Sequence, residues 1–264
     1  RNMATKTVFL PLKTIMPVKN SNNNPVNLIE SFTGTALADY KLKKGDSYSL
    51  KYVQPLYGDP LFQKALSYSR RGLYMDALTF LHNSRNTLFW SEAQRDISDE
   101  NKSGKDSDIS ISSDGETKET VKSLSDKILL LEELNNRAEK IRKRYTSLSK
   151  DTPVSIGKLA YSITQDAYSD YEKAKAIEAY LKNNYTYTFN PEPIRDDMDF
   201  VEAFLFKDKK GYCTYFATSM VVMMRSLGIP ARYVEGYVMP ETANKNKVYT
   251  VTNSNAHAWA EVYF

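Results

Sequence analysis

The apolar positions of the chain follow two rhythms. Over most of its second half they recur at three- and four-residue steps, the spacing of one helix face. Val121, Leu124, Ile128, Leu131, Leu134, Ala138, Ile141, Tyr145 and Leu148 trace a long amphipathic helix. Its polar face mixes both charge signs, which suits a core or docking helix rather than a membrane surface. Residues Ile156 to Thr164 predict a short helix after Pro153. Ser169 and Glu172 have capping-box spacing ahead of Ala174, Ile177, Tyr180 and Leu181, which share one face. Phe216, Ala217, Met220, Met224 and Leu227 mark a further helix with Cys213 at its first turn, stopped by Gly228 and Pro230. Its Met-rich stripe reads as core packing. Asp199 has the place of a cap for a short helix through Val201, Phe204 and Leu205. Leu73, Ala77, Leu78 and Leu81 also have helical spacing, within an ambiguous stretch from Leu61 to Trp90.

Elsewhere the rhythm is two, as in a strand with one buried face. Thr7 to Thr14 reads as an edge strand because it carries Pro11. Asn20 to Pro25 reads as a loop, and Ser47 to Val53 as a strand with Tyr48, Leu50 and Tyr52 alternating. Tyr185 to Phe189, Ala231 to Val238 and Lys247 to Thr252 are further strands. In Asn255 to Phe264, residues His257, Trp259, Glu261 and Tyr263 share one face, with small or apolar residues on the other. Glu92 to Thr120 has no aromatic residue and many Ser and Asp, so it cannot bury enough apolar surface to offset its ordering entropy. The expected organisation is a β-rich accessory region over 1–60, a partly helical segment over 61–120 that ends in a disordered acidic insertion, and a core over 121–264.

Composition narrows the classes. Of 264 residues, 41% are hydrophobic and 12% aromatic, too many for a disordered chain. A mean hydropathy of -0.52 and no apolar run of spanning length exclude a transmembrane helix within these residues. The first residue is Arg1, which fits a region taken from a longer protein. Net charge is +4, and nucleic-acid binding would need that excess gathered into a stripe. The tightest cluster, Arg142 to Arg144, falls at a helix end, where it complements the dipole, so no nucleic-acid partner is expected. One Cys and two His exclude an internal disulfide and a Cys/His zinc site. Asp196, Asp197 and Asp199 read as caps and a solvated loop. No metal and no cofactor are expected.

Candidate chemistry is confined to Gly211–Phe264. A helix start offers unpaired N–H groups and the positive end of the dipole, which favour an anionic sulfur at Cys213. The same N–H groups suit the oxyanion formed when a carbonyl is attacked. Gly211 allows the loop to approach the helix closely. An imidazole at His257, on a strand beside that helix, is the partner a thiolate needs. The competing readings are a buried structural Cys213 and a His257 packed under Trp259.

The motifs go together. Gly211-Tyr-Cys213 opens a helix that ends in Leu227-Gly-Ile-Pro-Ala-Arg232. A Gly236-Tyr-Val238 strand follows, then Ala256-His-Ala-Trp-Ala-Glu-Val-Tyr263. With Tyr171 to Leu181 and Tyr185-Thr-Tyr187 upstream, this stretch from about Tyr145 to Phe264 resembles the transglutaminase-like superfamily. The resemblance implies an α+β, papain-like fold, with the Cys helix packed on an antiparallel sheet behind a small β-rich region. It implies Cys213 as nucleophile, His257 as general base and acid, the Cys213 N–H as oxyanion donor, and Tyr212 and Trp259 along the substrate cleft. The family's third member, an Asp on the strand after the His, is expected beyond Phe264, and Asn255 is expected in a turn role. The implied activity is a thiol enzyme working on amide bonds of protein or peptide substrates, cell-wall-associated ones included, with amine transfer and hydrolysis both open. The alternative is an inactive domain that binds protein or cell wall. The bacterial members it resembles carry the domain outside the membrane, which implies an extracytoplasmic location, with attachment only through segments outside this chain.

Overall fold

The computed structural model describes residues 5–7, 14–30, 36–43, 46–52, 58–100, 115–193, 197–240, 242, 245 and 249–264. The chain divides into two units, Arg1–Lys64 and Ala65–Phe264. In the first, β1 (Thr5–Thr7), β2 (Thr14–Asn20), β3 (Leu28–Glu30), β4 (Ala36–Leu42) and β5 (Tyr48–Tyr52) form two small sheets, ordered β1-β4-β3 and β2-β5, all antiparallel. The Asn20 side chain accepts from the N–H groups of Asn22 and Asn24 and so shapes the expected loop. Val18, Val26 and Ala38 make its small core. Pro11 and the edge-strand reading around it lie outside the described residues.

The second unit is mainly helical. After α1 (Pro60–Ser67), helices α2 (Leu73–Glu100) and α3 (Gly115–Tyr145) pack on one another. Two parts of the expected disordered insertion, Glu92–Glu100 and Gly115–Thr120, are instead the end of α2 and the start of α3. Once a helix is nucleated, Glu, Ala, Gln, Arg and Lys extend it at little cost, so a stretch without apolar anchors can still be helical. Residues 101–114 lie outside the described residues.

Next come α4 (Val154–Thr164) and α5 (Asp170–Asn184). The expected capping box is present: Ser169 accepts from the Glu172 N–H, and Glu172 accepts from the Ser169 N–H. The two-residue strand β6 (Thr186–Tyr187) follows, then α6 (Phe200–Ala203), whose first N–H groups are capped by Asp199. A π-turn, Phe204–Asp208, buries Phe204 and Leu205, and leads to β7 (Lys210–Gly211). Helix α7 (Cys213–Ser226) carries Met223 and Met224 into the centre of the unit, against Ile156, Ile177 and Phe204.

Strands β8 (Ala231–Tyr237) and β9 (Ala256–Val262) pair antiparallel, and α7 packs on both. This is the expected α+β arrangement. The end of α3 is tied to it: Arg142 donates to the Gly228 carbonyl (3.0 Å), and Arg225 donates to those of Ala231 and Ser147. A further expectation fails. Tyr249–Thr252 is not a strand, and residues 246–248 lie outside the described residues. Tyr249 and Val251 are exposed, and Thr252 leads into a tight turn, Asn253–Asn255, where the Asn255 side chain accepts from the Thr252 N–H. Alternation alone makes no strand without an edge to pair with.

Candidate active site

Cys213 is the first residue of α7 and the sole thiol of the chain, partly exposed. Tyr212 precedes it in extended backbone, and its side chain does not cap the first turn of α7. The approach requires Gly211. A Cβ built there would lie 2.6 Å from the Tyr215 Cβ and overlap its ring. Tyr212 packs edge-on to that same ring, with centroids 5.0 Å apart.

A short parallel pairing brings in a residue that the sequence did not single out. β6 pairs with β7 in the register Tyr187 to Gly211, and the Thr188 N–H donates to the Gly211 carbonyl (2.8 Å). Tyr187 is thereby laid over the first turn of α7, its ring stacked on Phe216 at 5.9 Å and 28°. Its hydroxyl lies within electrostatic reach of the Cys213 thiol and backbone. Burial is the main cause that holds the Tyr187 phenol above its usual pKa range; the Cys213 N–H opposes the rise, and the thiol adds to it.

β8 runs back along α7 from its end to its start. At the end, Arg225 Nε holds the Ala231 carbonyl (2.8 Å); at the start, the Tyr233 hydroxyl meets Thr214 Oγ1 (3.4 Å). Tyr233 then donates to Glu235 Oε1 (2.6 Å). The next pairs along the ladder are Glu235 with Ala258 and Gly236 with His257. The His257 end of β9 therefore lies at the Cys213 end of α7. Trp259 reaches diagonally across the sheet, and a Cβ on Gly236 would sit 2.9 Å from its Cη2.

These contacts sort the expected site residues. Cys213 is gathered with Tyr212, Tyr187 and Tyr233, and His257 with Trp259. Ala260 and Val262 pack into the core, so strand alternation assigns the half-buried His257 to the face it shares with Trp259 and Glu261. No hydrogen bond joins Cys213 to His257. On the same face Arg232 pairs with Glu261 (2.6 Å) and lies over the stacked rings of Tyr145 and Tyr263, 5.2 Å apart. Burial alone would lower the Arg232 pKa, but Glu261 outweighs it and raises it. The other histidine, His82, bonds through Nδ1 to the Leu78 carbonyl within α2. Among the described residues, no three His, Cys, Asp or Glu side chains gather as a metal site requires. A groove of about 570 Å³ lies at the far end of α7, lined by Leu148, Pro153, Val154, Tyr161 and Leu227, away from the thiol.

The model of the transglutaminase-like superfamily matches residues 157–264, the stretch that holds all of these groups. Those residues are a transglutaminase-like domain. YebA, an uncharacterised protein of Bacillus subtilis, is 45% identical over 128 residues, 46% of this chain and 17% of YebA. A protein-glutamine gamma-glutamyltransferase of Pseudomonas aeruginosa is 33% identical over 81 residues, 31% of this chain and 12% of that protein. The matched stretches are thus a small part of both relatives. Among solved structures, the periplasmic domain of TgpA from Pseudomonas aeruginosa is 28% identical, covering 48% of this chain and 43% of that one, with a TM-score of 0.43. Within the transglutaminase-like domain the sequence singled out Cys213, His257, Tyr212 and Trp259. It missed Tyr187, Tyr233 and Glu235, whose approach to the thiol end depends on strand pairings that no spacing announces.

Proposed function

We propose that the domain is a thiol acyl-transfer enzyme for amide bonds of protein or peptide substrates. The observation that carries this is the sole cysteine at the first turn of α7, not capped by Tyr212 and within electrostatic reach of the Tyr187 hydroxyl, in a transglutaminase-like domain. Cys213 attacks the amide carbonyl; the C–S bond forms, the C–N bond breaks, and His257 protonates the leaving amine. The Cys213 N–H holds the oxyanion, with the Tyr187 hydroxyl beside it as a second donor. The role of His257 rests on the motif it shares with the family rather than on a contact with Cys213 in the structure. An amine then takes the acyl group from sulfur. The Pseudomonas relative named a gamma-glutamyltransferase supports that choice over hydrolysis.

The test is the pH profile of Cys213 alkylation by iodoacetamide, with His257→Ala as control. Fast labelling well below the free-thiol pKa of about 8.5, slowed by the substitution, is the expected result. A profile like that of a free thiol and indifferent to His257 overturns it. The absent Cys213–His257 hydrogen bond favours a second reading, a binding module for protein or cell wall, and the latter profile would support that one. We also assign the domain to the extracytoplasmic side of a bacterial membrane, on the likeness of its motifs to domains found there. Labelling of Cys213 in intact cells by a membrane-impermeant maleimide tests the assignment, and protection until lysis would overturn it.

A further inference from the structure

The acyl acceptor has to reach the thioester from some side, and the arrangement of β8 says which. Tyr233 and Glu235 leave β8 on the face that meets the start of α7. There the Tyr233 hydroxyl joins Thr214, the residue after Cys213, to the Glu235 carboxylate. One carboxylate oxygen is fixed by that phenol at 2.6 Å, and the other remains free to accept. Glu235 is exposed and enters no ion pair among the described residues. The carboxylate of β9, Glu261, is neutralised by Arg232 on the opposite face. An anion held in place, unpaired and open to solvent at the thiol end of the sheet is what a cation would find first.

We propose that Glu235, held by Tyr233, is the acceptor-binding residue of this site and draws the ammonium of a cationic primary amine, such as a lysine side chain, to the Cys213 thioester. The inference rests on the thiol reading above. The ammonium is concentrated beside the acyl group and sheds a proton to water before it reacts. The free amine attacks the thioester carbonyl, the C–N bond forms and the C–S bond breaks. The sulfur keeps the bonding electron pair, and the second proton of the amine re-forms the thiol. Water as acceptor needs no such carboxylate, so Glu235 biases the site toward transfer.

The test uses two acceptors of different charge. The protein is acylated with 4-nitrophenyl acetate, and the burst of 4-nitrophenol counts the thioester formed. Dansylcadaverine, a cation, and hydroxylamine, neutral near pH 7, then compete with water for the acyl group. Glu235→Gln is expected to raise KM for dansylcadaverine about fivefold, the order for loss of one exposed charge contact. KM for hydroxylamine and the burst should not change. Added salt should raise KM for the cationic acceptor in the unsubstituted protein and not in Glu235→Gln. Glu235→Lys, with the burst as its folding control, should weaken dansylcadaverine further. Equal KM values before and after substitution, or equal losses for both acceptors, overturn the acceptor site and leave the thiol reading intact. Absence of a burst from the unsubstituted protein overturns both.

Discussion

Helices α3 and α7 announce themselves by the same signal, apolar residues at three- and four-residue steps, and end in different surroundings. α3 has 31 residues, yet Ile128 is the one buried side chain among those described on it, while Leu129 and Leu130 are more than half exposed. α7 has 14 residues and buries six, with Met223 and Met224 fully covered. Periodicity gives a helix its face; what covers that face is decided elsewhere. α7 is flanked by α4, α5, β8 and β9, and α3 chiefly by α2. The sole thiol stands on the helix that is held from several sides.

The contrast is strongest for side-chain truncation. Met224→Ala should lower unfolding free energy by about 2–5 kcal/mol in urea titrations, while Leu130→Ala should stay within about 0.5 kcal/mol. Similar losses at the two sites would mean that the burial difference carries no energy. Gly211→Ala comes next, since its Cβ would overlap the Tyr215 ring. A cost of about 1–3 kcal/mol is expected, together with a changed rate of Cys213 alkylation as the start of α7 shifts. Ser169→Ala removes the capping oxygen of α5 and should cost about 1 kcal/mol without altering the alkylation rate.

The smallest effect concerns alkaline pH. Burial chiefly raises the pKa of Tyr185, whose hydroxyl donates to the Leu205 carbonyl, and it is the main cause that pushes Tyr263 up to about 12. Both phenols stay neutral to higher pH when folded than when unfolded. Their stabilisation is complete below about pH 10 and fades as pH climbs toward the folded values. Urea midpoints should therefore fall across that window, and Tyr263→Phe should flatten the fall. An unchanged slope in the variant would contradict the assignment.

Much of the α7 end was legible because its signals are local. Ser169 and Glu172, Asp199, and the Gly228 stop each act within a few residues, and each does what its spacing announces. The helix start at Cys213 and the strand holding His257 were legible for the same reason. Tyr187 was not. A period-two reading puts Tyr185 and Tyr187 in one class, yet Tyr185 is buried on Leu205 while Tyr187 lies within electrostatic reach of the thiol. The difference comes from the pairing of β6 with β7, across more than twenty intervening residues. The Thr214–Tyr233–Glu235 contacts were hidden likewise, since they depend on where β8 passes the start of α7. Glu92–Glu100 misled in the other direction, because polar composition argues against burial and says little against helix.

The pairing of Gly236 with His257 has a consequence for how the domain assembles. Strand registers are discrete: a slip of β9 by one residue would turn His257 to the face now held by Ala258 and Ala260, and would set the Trp259 ring against a neighbour that has a side chain. The indole fits over one position of β8, the residue without a Cβ. Trp259 and Gly236 thus work as a key and its notch, admitting one alignment of the hairpin and rejecting its neighbours. Which face of the hairpin carries the imidazole is settled by a choice among alternatives, made when the two strands first zip together.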